Sequence, residues 1–203
     1  MLDSLKRLSA SASAVAKKLL AAARECTAVA VTPRPPSYLG IATMPACARI
    51  HTALATALPD LQLLATNSAI GTALPKTPLT TSRAAACLAL FLLCVRGRKP
   101  VVLTVLDSSG ERHHRRGREL ATFANRLGFP TICIQHGGSK LSSLDTLAKT
   151  SASAIATWSR FAQAHCLSAA PRKKVVCIGY PFSYRLKRGT TQDYVLLATC
   201  LHT

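Results

Sequence analysis

The residues best suited to chemistry stand at the end of a short apolar run. Thr131–Ile134 is followed abruptly by Gln135, His136, Gly137 and Gly138. Because imidazole titrates near neutral pH, His136 is a candidate general base or phosphate ligand. The two glycines would let backbone amides approach an anion closely, and Gln135 is a candidate substrate contact. A structural histidine before a glycine turn is the alternative interpretation.

A second polar group follows another apolar run. Val101–Leu106 leads directly into Asp107, Ser108 and Ser109. If the two runs are neighbouring parallel strands, their carboxyl ends open into one crevice, where folds of this kind bind ligands. These three residues are therefore candidate substrate contacts, although a capping turn also explains them.

The segment between these two groups is strongly basic. Arg112, Arg115 and Arg116 are candidate phosphate-binding residues, for a small molecule or for a nucleic-acid backbone. Arg118 belongs to the same cluster, and a charge run of this kind is more often a plain solvated helix start. Positive charge at a helix N-terminus is mildly unfavourable against the helix dipole, which strengthens the case for a function a little. His113 and His114 are adjacent and point differently on a helix, so they are not interpreted as metal ligands.

Composition narrows the classes of protein. The net charge is +18, which favours nucleic acid, anionic lipid or phosphorylated small molecules as partners. Eight scattered cysteines without a C-x-x-C pair exclude an ordinary zinc site and indicate a reduced, intracellular protein, with disulfides as the alternative. The absence of P-loop, G-x-G-x-x-G and nucleophile-elbow patterns argues against the familiar ATP, nicotinamide and serine-hydrolase enzymes.

The order of apolar segments predicts an α/β fold. A basic amphipathic helix over residues 1–25, for which a targeting segment is the alternative, precedes a β-rich run, and a strand–helix alternation begins at Val101. The predicted sheet is parallel and Rossmann-like, with helices on both faces. The individual elements are a β-rich run Cys26–Val31, a helix within Ile41–Leu58, a strand Leu61–Ala65, a helix Arg83–Val95, a helix ending at Leu127, a helix Ser143–Lys149, a strand Ala152–Trp158, a helix Phe161–Leu167 and a strand Lys174–Ile178.

Three further features complete the organisation. Ala84–Val95 is the longest apolar run and falls short of the about 20 residues that span a bilayer, so a helix buried against the sheet is expected. Trp158 is interpreted as packing against the helix that follows it, with a position in the crevice as the alternative. The apolar run Tyr194–Ala198 is predicted to be a strand, which divides the chain into residues 1–25, a domain over 26–183, and a second domain only begun over 184–203.

From about residue 98 to 199, the order and spacing of segments resemble the middle of a GT-B glycosyltransferase. The similarity is to bacterial surface and capsule polysaccharide enzymes, and more distantly to CDP-glycerol glycerophosphotransferases. The matching stretches, in order, are PVVLTVLDSSG, RELATFANRLGFP, TICIQHGG, ASAIATWS, KKVVCIGYP and DYVLLAT.

This resemblance implies two Rossmann-like domains facing across a cleft. Residues 26–183 would be the acceptor-side domain, and 184–203 the start of the domain that binds the nucleotide-activated donor. His136 would be the base for the acceptor hydroxyl, and Gly137 and Gly138 would lie beside the donor phosphates.

The implied activity is transfer of a sugar or sugar-phosphate-type group from a nucleotide-activated donor to a surface-glycan or lipid-linked acceptor. It needs no cofactor, and it implies a cytoplasmic protein peripheral to the anionic inner face of the membrane. A non-enzymatic basic module that binds nucleic acid through phosphate contacts is the alternative, as is an inactive remnant.

Overall fold

The computed structural model describes residues 13–26, 36–105, 112–137 and 140–180, without the side chains of residues 46 and 112–114. Asp107, Ser108, Ser109, Gly138 and the predicted start of a second domain therefore lie outside the described residues. The elements are α1 (residues 13–26), β1 (Tyr38–Ala42), a 3-10 turn (Pro45–Cys47), α2 (Ala48–Ala57), β2 (Leu61–Ala65), α3 (Ser68–Gly71), α4 (Arg83–Val95), β3 (Val101–Thr104), α5 (Arg112–Arg126), β4 (Thr131–Ile134), α6 (Leu141–Ala148), β5 (Ala154–Thr157), α7 (Arg160–Ala169) and β6 (Lys174–Cys177).

The six strands form one sheet in the order β2-β1-β3-β4-β5-β6, and all neighbouring strands pair in parallel. The predicted parallel α/β architecture is thus confirmed. The chain steps from β1 to β2 in one direction and makes every later step in the other. Crossovers between parallel strands are nearly always right-handed, so this reversal should place α2 on one face and the later helices on the other.

Packing agrees with this expectation. On what we call the front face, Ile50 of α2 packs in one cluster with Leu63 and Leu103. On the back face, Leu90 of α4 packs with Leu39, together with residues of α1 and α5. The helices α6 and α7 cover the back face farther along the sheet, where they pack against Cys133, Ile155 and Val175.

Local signals explain where the back-face helices begin and end. Ser82 and Ser159 cap α4 and α7, because their hydroxyls accept hydrogen bonds from the third backbone N–H, at 3.2 Å and 3.1 Å. Gly97 and Gly128 follow α4 and α5 with φ values of 67° and 77°, a left-handed conformation that favours glycine.

Helix α4 contains the longest apolar run of the sequence and packs on the sheet as predicted. Its Leu90 and Leu93 are buried, whereas Phe91 and Val95 on the other side are exposed. No helix within the described ranges is both long enough and apolar enough to cross a membrane.

Helix α1 confirms residues 13–25 of the predicted N-terminal helix and continues to Cys26, which was predicted to begin a β-rich run. The Glu25 carboxylate accepts hydrogen bonds from the backbone N–H and the hydroxyl of Thr81, at 2.8 Å and 3.2 Å. Ala22 and Cys26 are buried beside α4, so α1 belongs to the back-face layer.

One prediction was wrong at a central position. The segment Tyr38–Ala42, partly assigned to a helix over Ile41–Leu58, is the strand β1 between β2 and β3. A strand buried on both faces shows no alternation, so its short apolar run cannot be distinguished from a helix by periodicity. A Cβ at Gly40 would lie 2.8 Å from Leu63 Cδ2 and 3.4 Å from His51 Nδ1, so glycine lets α2 lie close to this strand.

His51 is the polar exception in the front-face core. Its side chain is fully buried, and neither ring nitrogen has a hydrogen-bond partner among the described residues. Burial lowers the pKa of His51 from 6.5 to about 4, because the charged form would lose its hydration. The histidine is therefore neutral in the folded protein at neutral pH.

We expect His51 to make folding stability depend on pH. Between pH 6.5 and 4 the unfolded chain binds a proton at His51 and the folded chain does not. The associated stability, about 3 kcal/mol at most, is present above pH 6.5 and is lost as the pH falls towards 4. Urea unfolding of the wild type and of His51→Leu at several pH values measures this difference.

His51→Leu should lose that component and keep its stability at pH 7.5, since no hydrogen bond is removed. His165→Leu, which changes a half-exposed histidine, is the matched control and should keep the His51 component. Identical pH profiles for wild type and His51→Leu would contradict the burial argument.

Candidate functional site

The carboxyl ends of the parallel strands meet along one edge of the sheet. At this edge β4 leads into Gln135 and His136, β5 leads into Trp158, and β6 continues through Ile178 to Tyr180. The backbone N–H of Ile178 still donates to Thr157 O at 2.8 Å, so the pairing of β5 and β6 extends beyond the assigned strands.

Gln135 fixes the geometry of this edge. Its side chain is 4% exposed, and its Oε1 accepts a hydrogen bond from the backbone N–H of Trp158 at 2.9 Å. Its Nε2 donates to Gly137 O at 3.0 Å, and its own backbone N–H donates to Ala156 O at 2.9 Å. Both ends of the buried amide thus bond to backbone, which gives Gln135 a positioning role; the predicted substrate contact stays a prediction.

The two residues after Gln135 lie at the surface of the edge. The side chain of His136 is exposed and Gly137 is half-buried. A Cβ at Gly137 would meet nothing within 4 Å, and its φ is not positive. Neither space nor backbone conformation therefore requires a glycine here, and another molecule has room to approach this backbone.

An aromatic pair stands next to this polar group. The rings of Trp158 and Tyr180 contact edge to face, with centroids 5.0 Å apart and planes at 88°. Tyr180 is 48% exposed, and Trp158 packs against the front-face core. Packing was predicted for Trp158, but against the helix that follows it, which lies on the back face. Tyr180 was missed as a site residue; its signal in the sequence is that it lies two residues beyond Ile178 on the same row of β6.

The reversal of strand order lies one strand away from His136. Ligands of open α/β sheets bind outside the strand ends at such a switch point, here between β1 and β3. Thr43 and Val105 are buried beside it. Asp107, Ser108 and Ser109 follow β3 at this point but lie outside the described residues, so their predicted role stays a prediction.

The predicted phosphate-binding arginines are partly accounted for by ion pairs. Arg115 Nε lies 3.1 Å from Glu119 Oε1, and Arg83 Nη2 of the neighbouring helix lies 2.6 Å from Glu119 Oε2. Arg116 is half-buried, and the side chain of Arg112 lies outside the described residues. Pairs this exposed contribute little to stability, so they leave the arginines able to exchange partners.

A groove of about 390 Å³ lies between α4 and α5 on the back-face side. It is basic overall, although Glu119 contributes to it; its lining residues are Arg83, Cys87, Arg118, Glu119, Thr122, Phe123 and Arg126. Burial raises the pKa of the Cys87 thiol more than nearby Arg83 lowers it, so this cysteine is not activated as a nucleophile. Arg118 belongs to the basic cluster that the sequence singled out, whereas Arg126 was missed; the two arginines are separated by two helical turns and line one side of α5.

Within the described ranges, no group of three or more His, Cys, Asp or Glu side chains could hold a metal ion. The seven cysteines that the structure describes are free thiols.

No protein-family model matches the chain, and no significant match exists among curated proteins.

We expect Gln135→Leu to destabilise the fold, because it leaves the Trp158 N–H and the Gly137 carbonyl without their partner. The expected loss in the free energy of unfolding is about 1–3 kcal/mol, measured by urea denaturation. Gln62→Leu is the control, since the structure records no side-chain hydrogen bond for Gln62 within the described residues. Equal losses in the two variants would show that the bridge between β4 and β5 is unimportant.

Proposed function

We propose that this α/β unit is the acceptor-side domain of a GT-B-like glycosyltransferase, which transfers a sugar or sugar-phosphate-type group from a nucleotide-activated donor to a surface-glycan or lipid-linked acceptor. The carrying observation is the exposed His136 at the carboxyl edge of a parallel sheet, held there by the two hydrogen bonds of the buried Gln135 amide. The net charge of +18 supports a phosphorylated donor and an anionic membrane surface in the cytoplasm.

In the proposed reaction the acceptor hydroxyl lies beside His136. In sugar transfer, the acceptor oxygen attacks the anomeric carbon of the donor while the imidazole takes the hydroxyl proton, and the bond to the nucleotide diphosphate breaks. In transfer of a sugar-phosphate-type group, the oxygen attacks the donor phosphorus instead, and the nucleoside monophosphate leaves. In either case the nucleotide leaves with the bonding electrons, and positive groups stabilise its charge. The exposed position of His136 supports this role, since an acceptor can reach it from solvent.

The proposed function predicts a specific loss in His136→Gln. General-base catalysis contributes about 10²–10⁴ in rate, so turnover should fall by at least about 100-fold while the melting temperature is kept. Transfer of radiolabel from a set of nucleotide sugars and CDP-glycerol to glycan and lipid-linked acceptors measures the activity of the chain completed by a donor-binding domain.

His165→Gln is the matched control, because this histidine lies on α7 and its Nε2 bonds Asp145 Oδ1 at 2.7 Å, away from the strand ends. It should keep full turnover. No transfer from any of these donors by the unmodified chain completed by a donor-binding domain overturns the proposed function, and undiminished transfer by His136→Gln overturns the role of His136.

The variant Gly137→Ala tests whether a ligand lies against this backbone, because the substitution should not disturb folding. Alanine meets no atom within 4 Å at this position, so the free energy of unfolding should stay the same or rise by about 0.5 kcal/mol. If donor phosphates lie against this backbone, the added methyl group raises the donor KM. An unchanged KM would place the phosphates elsewhere.

The groove between α4 and α5 favours a second candidate, a module that binds nucleic acid through phosphate contacts. Arg83, Arg118 and Arg126 supply its positive charge. The double variant Arg118→Gln/Arg126→Gln should weaken binding to random-sequence duplex and reduce the salt slope of log K by about 1.8. Fluorescence anisotropy at several salt concentrations measures this slope.

The control is Arg96→Gln/Arg172→Gln, which removes two exposed arginines outside the groove. It changes the net charge equally, so it should reduce the slope much less. Equal reductions by both double variants would mean that charge in general, and not the groove, attracts the duplex.

A further inference from the structure

Helix α4 is apolar on every side, although only one of its sides packs on the sheet. Residues 84–95 are all alanine, leucine, phenylalanine, valine or cysteine. Leu90 and Leu93 are buried against the back face, whereas Phe91 and Val95 are 48% and 67% exposed. A helix that is apolar all round is normally covered all round, in a protein core or in a membrane. The outer side of α4 therefore indicates a partner.

The exposed apolar residues of α4 form a continuous stripe. Ala84, Leu88, Phe91 and Val95 lie at i, i+4, i+7 and i+11, on one side of the helix. Leu88 is half-buried and the other three are exposed. We call these four residues the outer stripe. The stripe is about 17 Å long, against the about 30 Å of a hydrocarbon core, so its partner lies along the helix.

Positive charge follows the outer stripe directly. Arg96, Arg98 and Lys99 come after Val95, and all three are exposed. The backbone N–H of Arg98 donates to Leu93 O at 2.9 Å, so this basic turn folds against the last turn of α4. Residues 84–99 include no Asp or Glu. The apolar stripe thus ends in three cations that no acidic residue of the same segment neutralises.

Helix α1 repeats this combination in the same layer. Ala22 and Cys26 are buried in the back-face core. Val15 and Leu19 lie seven residues before them, and therefore on the same side of the helix, yet they are 53% and 59% exposed. Residues 17 and 18 are exposed lysines. Two helices of one layer thus present apolar side chains together with positive charge.

These features fit the surface of a membrane that contains anionic lipids. Apolar side chains enter the boundary between headgroups and acyl chains, and Lys and Arg contact the anionic headgroups. A second copy of this chain fits less well, because the net charge is +18 and the cations beside the two stripes would repel each other. A nucleic-acid duplex would pair with the cations but leave the outer stripe uncovered.

We propose that the outer stripe of α4 lies on an anionic membrane surface, with Phe91 and Val95 in the boundary below the headgroups and Arg96, Arg98 and Lys99 among them. This inference deepens the proposed function, which includes a membrane surface, by naming the face of the fold that meets it. Its test needs no donor or acceptor, so membrane binding and group transfer can fail separately.

The variant Phe91→Gln/Val95→Gln removes the apolar contact and keeps the charge. Cosedimentation with vesicles of equal parts phosphatidylcholine and phosphatidylglycerol should show at least about a 10-fold fall in the partition coefficient. Val176→Gln/Ile178→Gln is the matched control. These two exposed apolar residues alternate with Val175, which packs on the back face, so they lie on the front face and should not affect binding.

The cations are tested by the triple variant Arg96→Gln/Arg98→Gln/Lys99→Gln. Its binding to the same vesicles should fall by roughly 100-fold, because each cation near an anionic surface contributes to the attraction. A control with the same net charge removes three exposed cations within residues 160–174, R160Q/R172Q/K174Q. It should lose much less binding, and equal losses would contradict the role of the basic turn.

Insertion is measured by moving the only tryptophan of the chain to the outer stripe. In Phe91→Trp/Trp158→Phe, the fluorescence should shift to shorter wavelength on vesicles and be quenched by lipids with brominated acyl chains. Phe91→Trp keeps an aromatic ring at an exposed position, so folding should be retained. In the wild type, Trp158 packs against the front-face core and should be quenched much less.

Four outcomes overturn the proposal. The first is no binding of the wild type to the anionic vesicles, and the second is an equal loss in the two Gln pairs. The third is a tryptophan at position 91 that stays unshifted and unquenched on vesicles to which the protein binds. The fourth is a concentration-dependent dimer that Phe91→Gln/Val95→Gln abolishes, since a second copy would then cover the outer stripe.

Discussion

The reversal of strand order between β1 and β3 is the constraint on which the rest of this structure depends. Because crossovers between parallel strands are nearly always right-handed, the reversal places α2 on the front face and α4 to α7 on the back face. Helix α2 therefore packs on the core around Leu63 and Leu103, and α4 packs on the core around Leu39 and Leu90. The same reversal defines the switch point at the carboxyl edge. It also leaves the front of β5 and β6 without a described helix, because every described crossover after β2 runs in the same direction.

At the carboxyl edge the buried side chain of Gln135 fixes the backbone that carries the exposed His136. Gln135 joins the exits of β4 and β5 through bonds to Trp158 and Gly137, and a buried amide without such partners would be costly. His136 is held at the surface as a consequence, one strand from the switch point. His51 shows the contrasting case, since its unpaired imidazole is tolerated in the core only as the neutral form.

Much of the fold could be predicted from the sequence, because the residues that begin and end strands and helices act locally. The strand Thr131–Ile134 and the helix Arg83–Val95 have the predicted bounds, and Gly128 ends a helix as expected. The strand β1 could not be predicted, since a run buried on both faces lacks alternation. Gly40 does not help, because glycine is unfavourable in the interior of a helix and of a strand alike. His136 was singled out from its place after an apolar run, whereas the roles of Tyr180 and Arg126 depend on neighbours that are distant in sequence.

The sequence by itself determined the α/β class, the parallel alternation from Val101 onwards and the basic character of the surface, because these follow from composition and short-range patterns. Only the tertiary structure decided the strand order, the placement of α2 and α4 on opposite faces of the sheet, and the hydrogen bond between Gln135 and the backbone of Trp158. It also decided that Arg83 and Arg115 share Glu119 and that Val176 and Ile178 stand exposed. These properties depend on which segments become neighbours, and that is set by the pairing of strands and by the hand of their connections, neither of which a local pattern encodes.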